Sequence, residues 1–376
     1  MRTFGTTTRE LLCLADWLTA AGCTHVAMES TGIYWRPVYN ILEGHCDLAV
    51  VNAQHVKMVP GRKTDVRDSE WLAQLLELGL LRGSFVPPAA QRELRDVVRY
   101  RKRLIEERAR EATRVQKVLE TANIKLASVV TNVLGVSARA MLKALIAGEQ
   151  APEELAELAQ RRLRRKRAAL GEALTGRITA HHRFMLAHLL RHIEFLDDAI
   201  AAYDRHVETL TAPDADALAR LDTIPGVARR TAETIVAELG CDMTRFPTAG
   251  HAASWTGLCP GNHESAGKRL SGRTRFANRL LRQTLVESAR GAVRKRDSSL
   301  AAQYRRLVKR RGDKKAIVAV AHSILVIAYH VLRDGQSYRE LGSDYFDRLN
   351  ADRLTRYHTK RLAALGYAVT LTKSAA

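Results

Sequence analysis

The longest helical signal in the chain runs over residues 92–123 and fixes the character of the whole middle region. Leu94, Val97, Val98, Leu104, Val115, Val118 and Leu119 recur at helical spacing, which predicts one long amphipathic helix. A second helical stretch is opened by the run Arg161-Arg162-Leu163-Arg164-Arg165-Lys166-Arg167, and a third, amphipathic one covers 183–210. Together they predict a helical hairpin or coiled-coil arm over 89–212. The polar face of the first helix is mostly basic: Arg95, Arg99, Arg101, Lys102, Arg103, Arg108, Arg110 and Arg114. It is either a solvated surface or a phosphate-binding face. Glu106, Glu107 and Glu111 offer i,i+4 partners and favour the first reading locally. The run at 161–167 has no such acids, so Arg164 and Arg165 are expected to meet phosphate.

Residues 1–88 read differently. Helical spacing over 10–20, 33–43 and 65–78 alternates with short apolar runs at 24–29 and 48–51. Apolar strands set between helices predict an α/β layer with a parallel component. The second helix is expected to turn Trp35, Val38, Tyr39 and Leu42 inward. The third carries Trp71, Leu72, Leu75, Leu76 and Leu78 as its apolar positions. Beyond the arm, Pro213 with Asp214 and Asp216 marks a linker. Residues 213–335 form a mainly helical domain with a loop-rich middle, and 336–376 a tail that is helical around 344–365. The fold class is therefore α/β plus α.

Charge points to the partner. The chain has 60 Lys+Arg against 40 Asp+Glu, a net charge of +20, and a pI near 10.1. Such a protein attracts polyanions, nucleic acid first. A hydrophobic share of 46% is ample for packed cores. The five cysteines are scattered without a Cys-x-x-Cys pair, which argues against a zinc site or a disulfide framework and fits a reducing cytoplasm. No signal peptide is expected, because Thr6-Thr7-Thr8-Arg9-Glu10 interrupts any apolar run. The most apolar stretch, 316–329, is too short to span a bilayer and reads as a buried helix, so no membrane partner is expected.

Three carboxylates stand out against this positive background. Glu29 closes the apolar run Val26-Ala27-Met28, and Asp65 and Asp68 open the third helix. An acid straight after an apolar strand is costly without a partner. Two acids three residues apart in a first helical turn share one face. In α/β folds, ligands bind outside the carboxyl ends of strands. Glu29, Asp65 and Asp68 are thus hard oxygen donors suited to one or two Mg²⁺ (or Mn²⁺) ions, which in two-metal sites lie about 4 Å apart. Asp65 alone reads equally as a helix N-cap.

Two further motifs lie in the C-terminal half. Leu221-Asp222-Thr223-Ile224-Pro225-Gly226-Val227-Ala228-Arg229-Arg230 has the helix-hairpin-helix pattern. Gly226 would let backbone N–H groups approach a phosphate, and Arg229 and Arg230 add charge; the other reading is an ordinary αα turn. Residues 257–269 (Gly-Leu-Cys-Pro-Gly-Asn-His-Glu-Ser-Ala-Gly-Lys-Arg) suit a flexible active-site loop. Ser265 is followed by Lys268 and Arg269, cations able to stabilise a phosphoryl oxygen. Taken alone, a serine in a loop says almost nothing, and His263 is either a base or a plain loop histidine. A basic helix is expected to follow from Arg273.

In this order and spacing the pieces resemble a known family. Glu29-Ser30-Thr31-Gly32-Ile33-Tyr34, Lys63-Thr64-Asp65-Val66-Arg67-Asp68, Ile224-Pro225-Gly226-Val227, Gly257-Leu258-Cys259-Pro260, Glu264-Ser265 and Asn278-Arg279-Leu280-Leu281-Arg282 are similar to the DEDD transposases of the bacterial insertion sequence 110 family and their Piv-type invertase relatives. The resemblance implies an RNase H-like domain of RuvC type over 1–88, a helical arm, and a C-terminal transposase domain. It implies four metal-binding acids, of which Glu29, Asp65 and Asp68 are present, and Ser265 as the nucleophile that forms a phosphoserine link to DNA. It further implies a structured guide RNA, a homo-oligomer (dimer or tetramer) with a composite site, and a place in the bacterial cytoplasm at the nucleoid. Nucleic acid is expected to meet Arg99, Arg103, Arg164, Arg165, Gly226, Arg229, Arg230, Lys268, Arg269 and Arg273.

The sequence departs from the family twice. The stretch Met1-Arg2-Thr3-Phe4-Gly5-Thr6-Thr7 looks like the part that follows the family's first hairpin, so the first strands and first acid are expected to be missing; Asp16 lies in a helix and cannot replace that acid. The family's Ser-Gly is Ser265-Ala266-Gly267 here. Two rivals stand beside the recombinase: a metal-dependent nuclease like a Holliday-junction resolvase, and an inactive remnant that only binds nucleic acid.

Overall fold

The computed structural model describes residues 2–52, 65–81, 83–149, 151–261, 263–274 and 277–372, without the side chains of residues 65–68, 263 and 269. It is mostly helical with little sheet and divides into two compact units, Met1–Pro88 and Ala89–Ala376.

In the first unit, helix Thr8–Ala20 starts where the Thr7 hydroxyl accepts a hydrogen bond from the Glu10 amide. Strand β1 (His25–Glu29), helix Trp35–Leu42 and strand β2 (Asp47–Val51) follow. The strands are parallel, in register from His25↔Asp47 to Glu29↔Val51. Parallel strands need a crossover, which the helix between them supplies. Val50, Val51 and Leu42 are each 1% exposed, while Trp35, Val38 and Tyr39 are half-buried. On its other edge β2 meets a single antiparallel bridge, Val51↔Gly83. Helix Asp65–Glu77 packs against β1 and buries Leu75. Leu78, expected on its apolar face, lies past the helix end and is 69% exposed, because the chain turns at Gly79 before that face continues.

The second unit opens with helix Ala89–Thr121, which packs along helix Ala180–Leu210. Arg101 meets Asp204, Arg108 meets Asp197 and Glu111 meets His192, so the pair is antiparallel. At the tip, helices Leu126–Val129, Val136–Ala147, Pro152–Glu157 and Arg167–Leu174 form a lobe. Its core joins Met141, Leu142, Leu155 and Leu170 to Val115 and Leu119 on one long helix and Leu186 and Ile193 on the other. The run 161–167 forms a 3-10 turn over Arg161–Lys166. Contrary to expectation it has an acid partner, since Arg167 pairs with Glu157 across the lobe at 2.8 Å.

At the root, Leu94, Val98 and Val207 belong to one core with the C-terminal helices. Pro213, expected in a linker, sits in the tight turn Ala212–Asp214 that runs straight into helix Ala215–Asp222. The centre of this core is helix Asp313–Asp334. It is long and apolar enough by composition to cross a membrane, yet Val320, Ala321, Ile324, Leu325 and Ala328 are fully enclosed by neighbouring helices. The tail helices Tyr345–Leu349 and Ala351–Ala364 bury no residue.

Candidate functional site

Within the first unit, Glu29 is half-buried at the carboxyl end of β1. The Thr31 amide donates to its carbonyl at 2.8 Å and the Ser30 amide to Val51 at 2.9 Å, so the chain turns sharply out of the sheet just after the acid. Asp65 and Asp68 lie in the first turn of the helix that packs on this strand; their side chains, with Lys63 and Thr64, lie outside the described residues. Among those described, no three His, Cys, Asp or Glu side chains cluster as metal ligands. An all-oxygen donor set at a strand end suits a hard divalent cation in chemical type.

Ser265 sits on a β-hairpin, where a flexible loop was expected. Strands β3 (His263–Ser265) and β4 (Lys268–Ser271) are antiparallel, with Ser265↔Lys268 and Glu264↔Arg269 opposite each other. Between them Ala266 and Gly267 both take positive φ, +48° and +72°, as in the two-residue type I′ turns that match strand twist. Directly opposed residues share one face of a ribbon, so the Lys268 ammonium lies on the side of the Ser265 hydroxyl. Both residues are exposed. Ala266 is an alanine in a left-handed conformation, which costs about 1–2 kcal/mol. The foot of the hairpin is closed by the bridge Pro260↔Thr274 and by the Gly261 amide donating to Arg273 at 2.9 Å. Asn262, Arg275, and the side chains of His263 and Arg269 lie outside the described residues. The expected basic helix begins at Arg279, not Arg273, because the Asn278 side chain caps it by accepting from the Leu281 amide.

The arginines separate into two groups. Arg99, expected to meet nucleic acid, forks onto the Glu238 carboxylate at 2.8 and 2.9 Å; that bond pushes its pKa up. Arg95 and Arg101, on the face read as either solvated or phosphate-binding, are 9% and 3% exposed. Arg95 donates to the carbonyls of Ala237 (2.9 Å) and Glu238, and Arg101 to Glu233 at 2.7 Å. Arg229 pairs with Glu233 and Arg230 with Asp204. Arg229 takes its acid from the next turn of its own helix, whereas Arg99, Arg101 and Arg230 take theirs from other helices. Gly226, with φ +82°, is explained by packing: a Cβ there would lie 2.2 Å from the Ser288 carbonyl and 2.7 Å from the Ala292 nitrogen. It therefore lets helix Arg279–Ala292 touch the turn, as in the ordinary αα reading.

The second group stays exposed: Arg103, Arg164, Arg165, Lys268 and Arg273. Arg103 lines a cavity of about 1000 Å³ with Lys102, Arg110, Arg279 and Trp255. Sequence reasoning missed Trp255, half-buried in helix Ala249–Thr256; no local pattern sets it apart from a core tryptophan.

With these features in place, comparison with known proteins is informative. A model of DEDD transposases of the IS110 type matches residues 1–124, and one described as Transposase IS116/IS110/IS902 family matches 218–305. The chain belongs to the IS110 family of transposases. The transposase for insertion sequence element IS1111A of Coxiella burnetii is 24% identical over 295 residues, covering 77% of this chain and 72% of that protein. The 43.6 kDa uncharacterized protein of insertion element IS110 from Streptomyces coelicolor is 32% identical over 120 residues, 31% of this chain and 29% of that protein. The family match over residues 1–124 takes in the β1 acid and the helix opened by Asp65 and Asp68, and that over 218–305 takes in the turn at Gly226 and the whole Ser265 hairpin.

Proposed function

We propose that this transposase cuts and rejoins DNA by transesterification through Ser265. The observation that carries the reading is the exposed serine on a β-hairpin with a two-residue turn and Lys268 opposite it. The Ser265 Oγ attacks a DNA phosphorus and loses its proton as the new P–O bond forms. The bond from phosphorus to a deoxyribose oxygen breaks, and that oxygen takes up a proton. A sugar hydroxyl of the partner strand then attacks the phosphoserine, restoring a phosphodiester and freeing Ser265. The number of phosphate esters is conserved, so no energy source is consumed. Lys268 places positive charge where the phosphorane develops, the type of contribution preorganised electrostatics makes.

The first unit is the RNase H-like, RuvC-type part of this reading. Glu29, Asp65 and Asp68 would hold Mg²⁺ or Mn²⁺, which when bound supplies Lewis-acid stabilisation of phosphoryl oxygens. Glu29 is positioned by the turn after β1, and the two aspartates by the helix packed on that strand. The exposed cations of the arm, Arg103, Arg164 and Arg165, serve nucleic acid, the element's DNA and a structured guide RNA.

The test is a detergent-resistant protein–DNA adduct. The chain is expressed with the DNA and flanking non-coding region of an insertion sequence that encodes it. An adduct is expected with the wild type and none with Ser265→Ala, while gel-shift binding of DNA is unchanged. Cut DNA ends without any adduct would overturn the serine role in favour of a metal-dependent nuclease that hydrolyses with water.

A further inference from the structure

A cavity of about 770 Å³ lies at the foot of the Ser265 hairpin, against helix Asp313–Asp334, and no role above uses it. Its volume falls within the range of about 300–1,000 Å³ typical of small-ligand pockets. Leu258, Pro260, Val318 and Ala319 make an apolar wall. Arg273, Lys314 and Lys315 line it as well, and among the described residues no acidic one does. The nearest acid in sequence, Asp313, is taken by Arg290 at 3.1 Å and by the Tyr304 hydroxyl at 2.9 Å. Gly272 and three neutral hydrogen-bonding groups complete the lining: Gln303, His322 and Thr274, whose hydroxyl accepts from Arg282 at 3.3 Å. Burial pushes the His322 pKa down, so at neutral pH its ring offers one donor and one acceptor.

This combination selects a ligand class. A free phosphate would leave the apolar wall unfilled, and an uncharged apolar ligand would leave three cations facing one another. A nucleobase joined to its phosphate satisfies both: the base lies on the apolar wall and its edge meets His322 and Gln303. The backbone phosphate meets Arg273, Lys314 and Lys315. The position fits as well. Ser265 is five residues from Pro260 in sequence, a separation of at most roughly 17 Å for an extended chain, the length of about five stacked nucleotides.

We infer that this cavity takes one unstacked nucleobase of the strand that Ser265 attacks, within about five nucleotides of the attacked phosphate. The inference rests on the Ser265 reading for its choice of strand. Extruding a base from a duplex costs a few kcal/mol, least where it is mispaired or already single-stranded. The captured base would thus favour a distorted or partly opened junction and fix the register of the strand against the hairpin.

The experiment uses the full chain with its element's junction DNA. 2-Aminopurine, whose fluorescence is quenched by stacking, is placed singly at each of the six positions on either side of the crossover. A several-fold rise is expected at one position on protein binding. Ala319 is a half-exposed lining residue, so Ala319→Phe fills the cavity without entering the core and should abolish the rise. Ala319→Ser, which leaves the cavity open, should retain it, as should Ser265→Ala. A bright position lost in Ala319→Phe without any wild-type adduct would keep the pocket and discard the nucleophile. An adduct with no bright position would keep the nucleophile and discard the pocket. Brightening unaffected by Ala319→Phe would also overturn the inference, and an oligomeric state altered by that variant would then assign the cavity to a second copy of the chain.

Discussion

The two ends of the arm differ in what is added to apolar packing. At the tip the lobe closes on an apolar core, with Met141, Leu142, Leu155 and Leu170 fully buried. At the root, the same long helix shares an apolar core through Leu94 and Val98 and adds a layer of ions to it. The fully buried Glu238 carboxylate receives the fork of Arg99 and the Asn278 amide at 2.6 Å, and Glu233 receives Arg101 and Arg229. Apolar packing is tolerant of small shifts in register. A bidentate guanidinium–carboxylate pair is not, because two parallel bonds fix both distance and plane. The root also includes Asn278, which caps the helix following the Ser265 hairpin, so this ionic joint sets where that helix begins relative to the arm.

The contrast can be broken from either side. The largest effect is expected from Glu238→Ala, which leaves Arg95 and Arg99 without their acid: about 3–5 kcal/mol lost, read as a lower urea midpoint. Leu142→Ala at the tip opens a cavity costing about 2–5 kcal/mol; limited proteolysis should then cut within residues 123–176 while the root stays protected. Asp197, halfway along, sharpens the comparison through pH. Burial pushes its carboxyl up, but hydrogen bonds from Arg108 and Arg139 more than reverse this and hold it below its usual range. Its contribution is present above the ordinary Asp value of about 3.9 and fades as pH falls through the lowered folded value. Asp197→Asn should therefore cost about 1–2 kcal/mol at pH 7, and the gap to wild type should close below pH ~4 in thermal melts. The smallest effect is expected from 1 M salt, where screening acts over about 3 Å. The exposed Lys102–Glu287 pair should lose under about 1 kcal/mol while the Glu238 joint is unmoved, as seen by comparing Lys102→Ala with wild type at both ionic strengths.

Local pattern revealed the elements but not their partners. The arm helices and the parallel βα layer follow from periodicity, and structure finds them within a few residues. The basic face misled because its acids, Glu233 and Glu238, lie more than 130 residues away; i,i+4 reasoning sees only Glu106, Glu107 and Glu111. The hairpin was hidden because Ala266 occupies a left-handed position that chain chemistry assigns to glycine or asparagine. The start of the helix at Arg279 was legible in Asn278, an ordinary cap residue, but a run of arginines drew attention upstream. Gly226 read as a phosphate contact because glycine permits several close approaches, and only the neighbouring helix shows which one is used.

The tip lobe leaves and re-enters the arm at one point: the Arg177 amide donates to the Ala122 carbonyl at 2.9 Å, and Lys125 to Ala173 at 2.8 Å. A segment whose ends meet is a cassette. It can be shortened, lengthened or exchanged without moving either flank, provided the replacement covers Val115, Leu119, Leu186 and Ile193. The root, whose arginines reach acids at fixed spacing along two helices, has no such freedom. Grafting and length variation between relatives should therefore be tolerated between residues 123 and 176 and rejected at Arg95, Arg99 and Arg101.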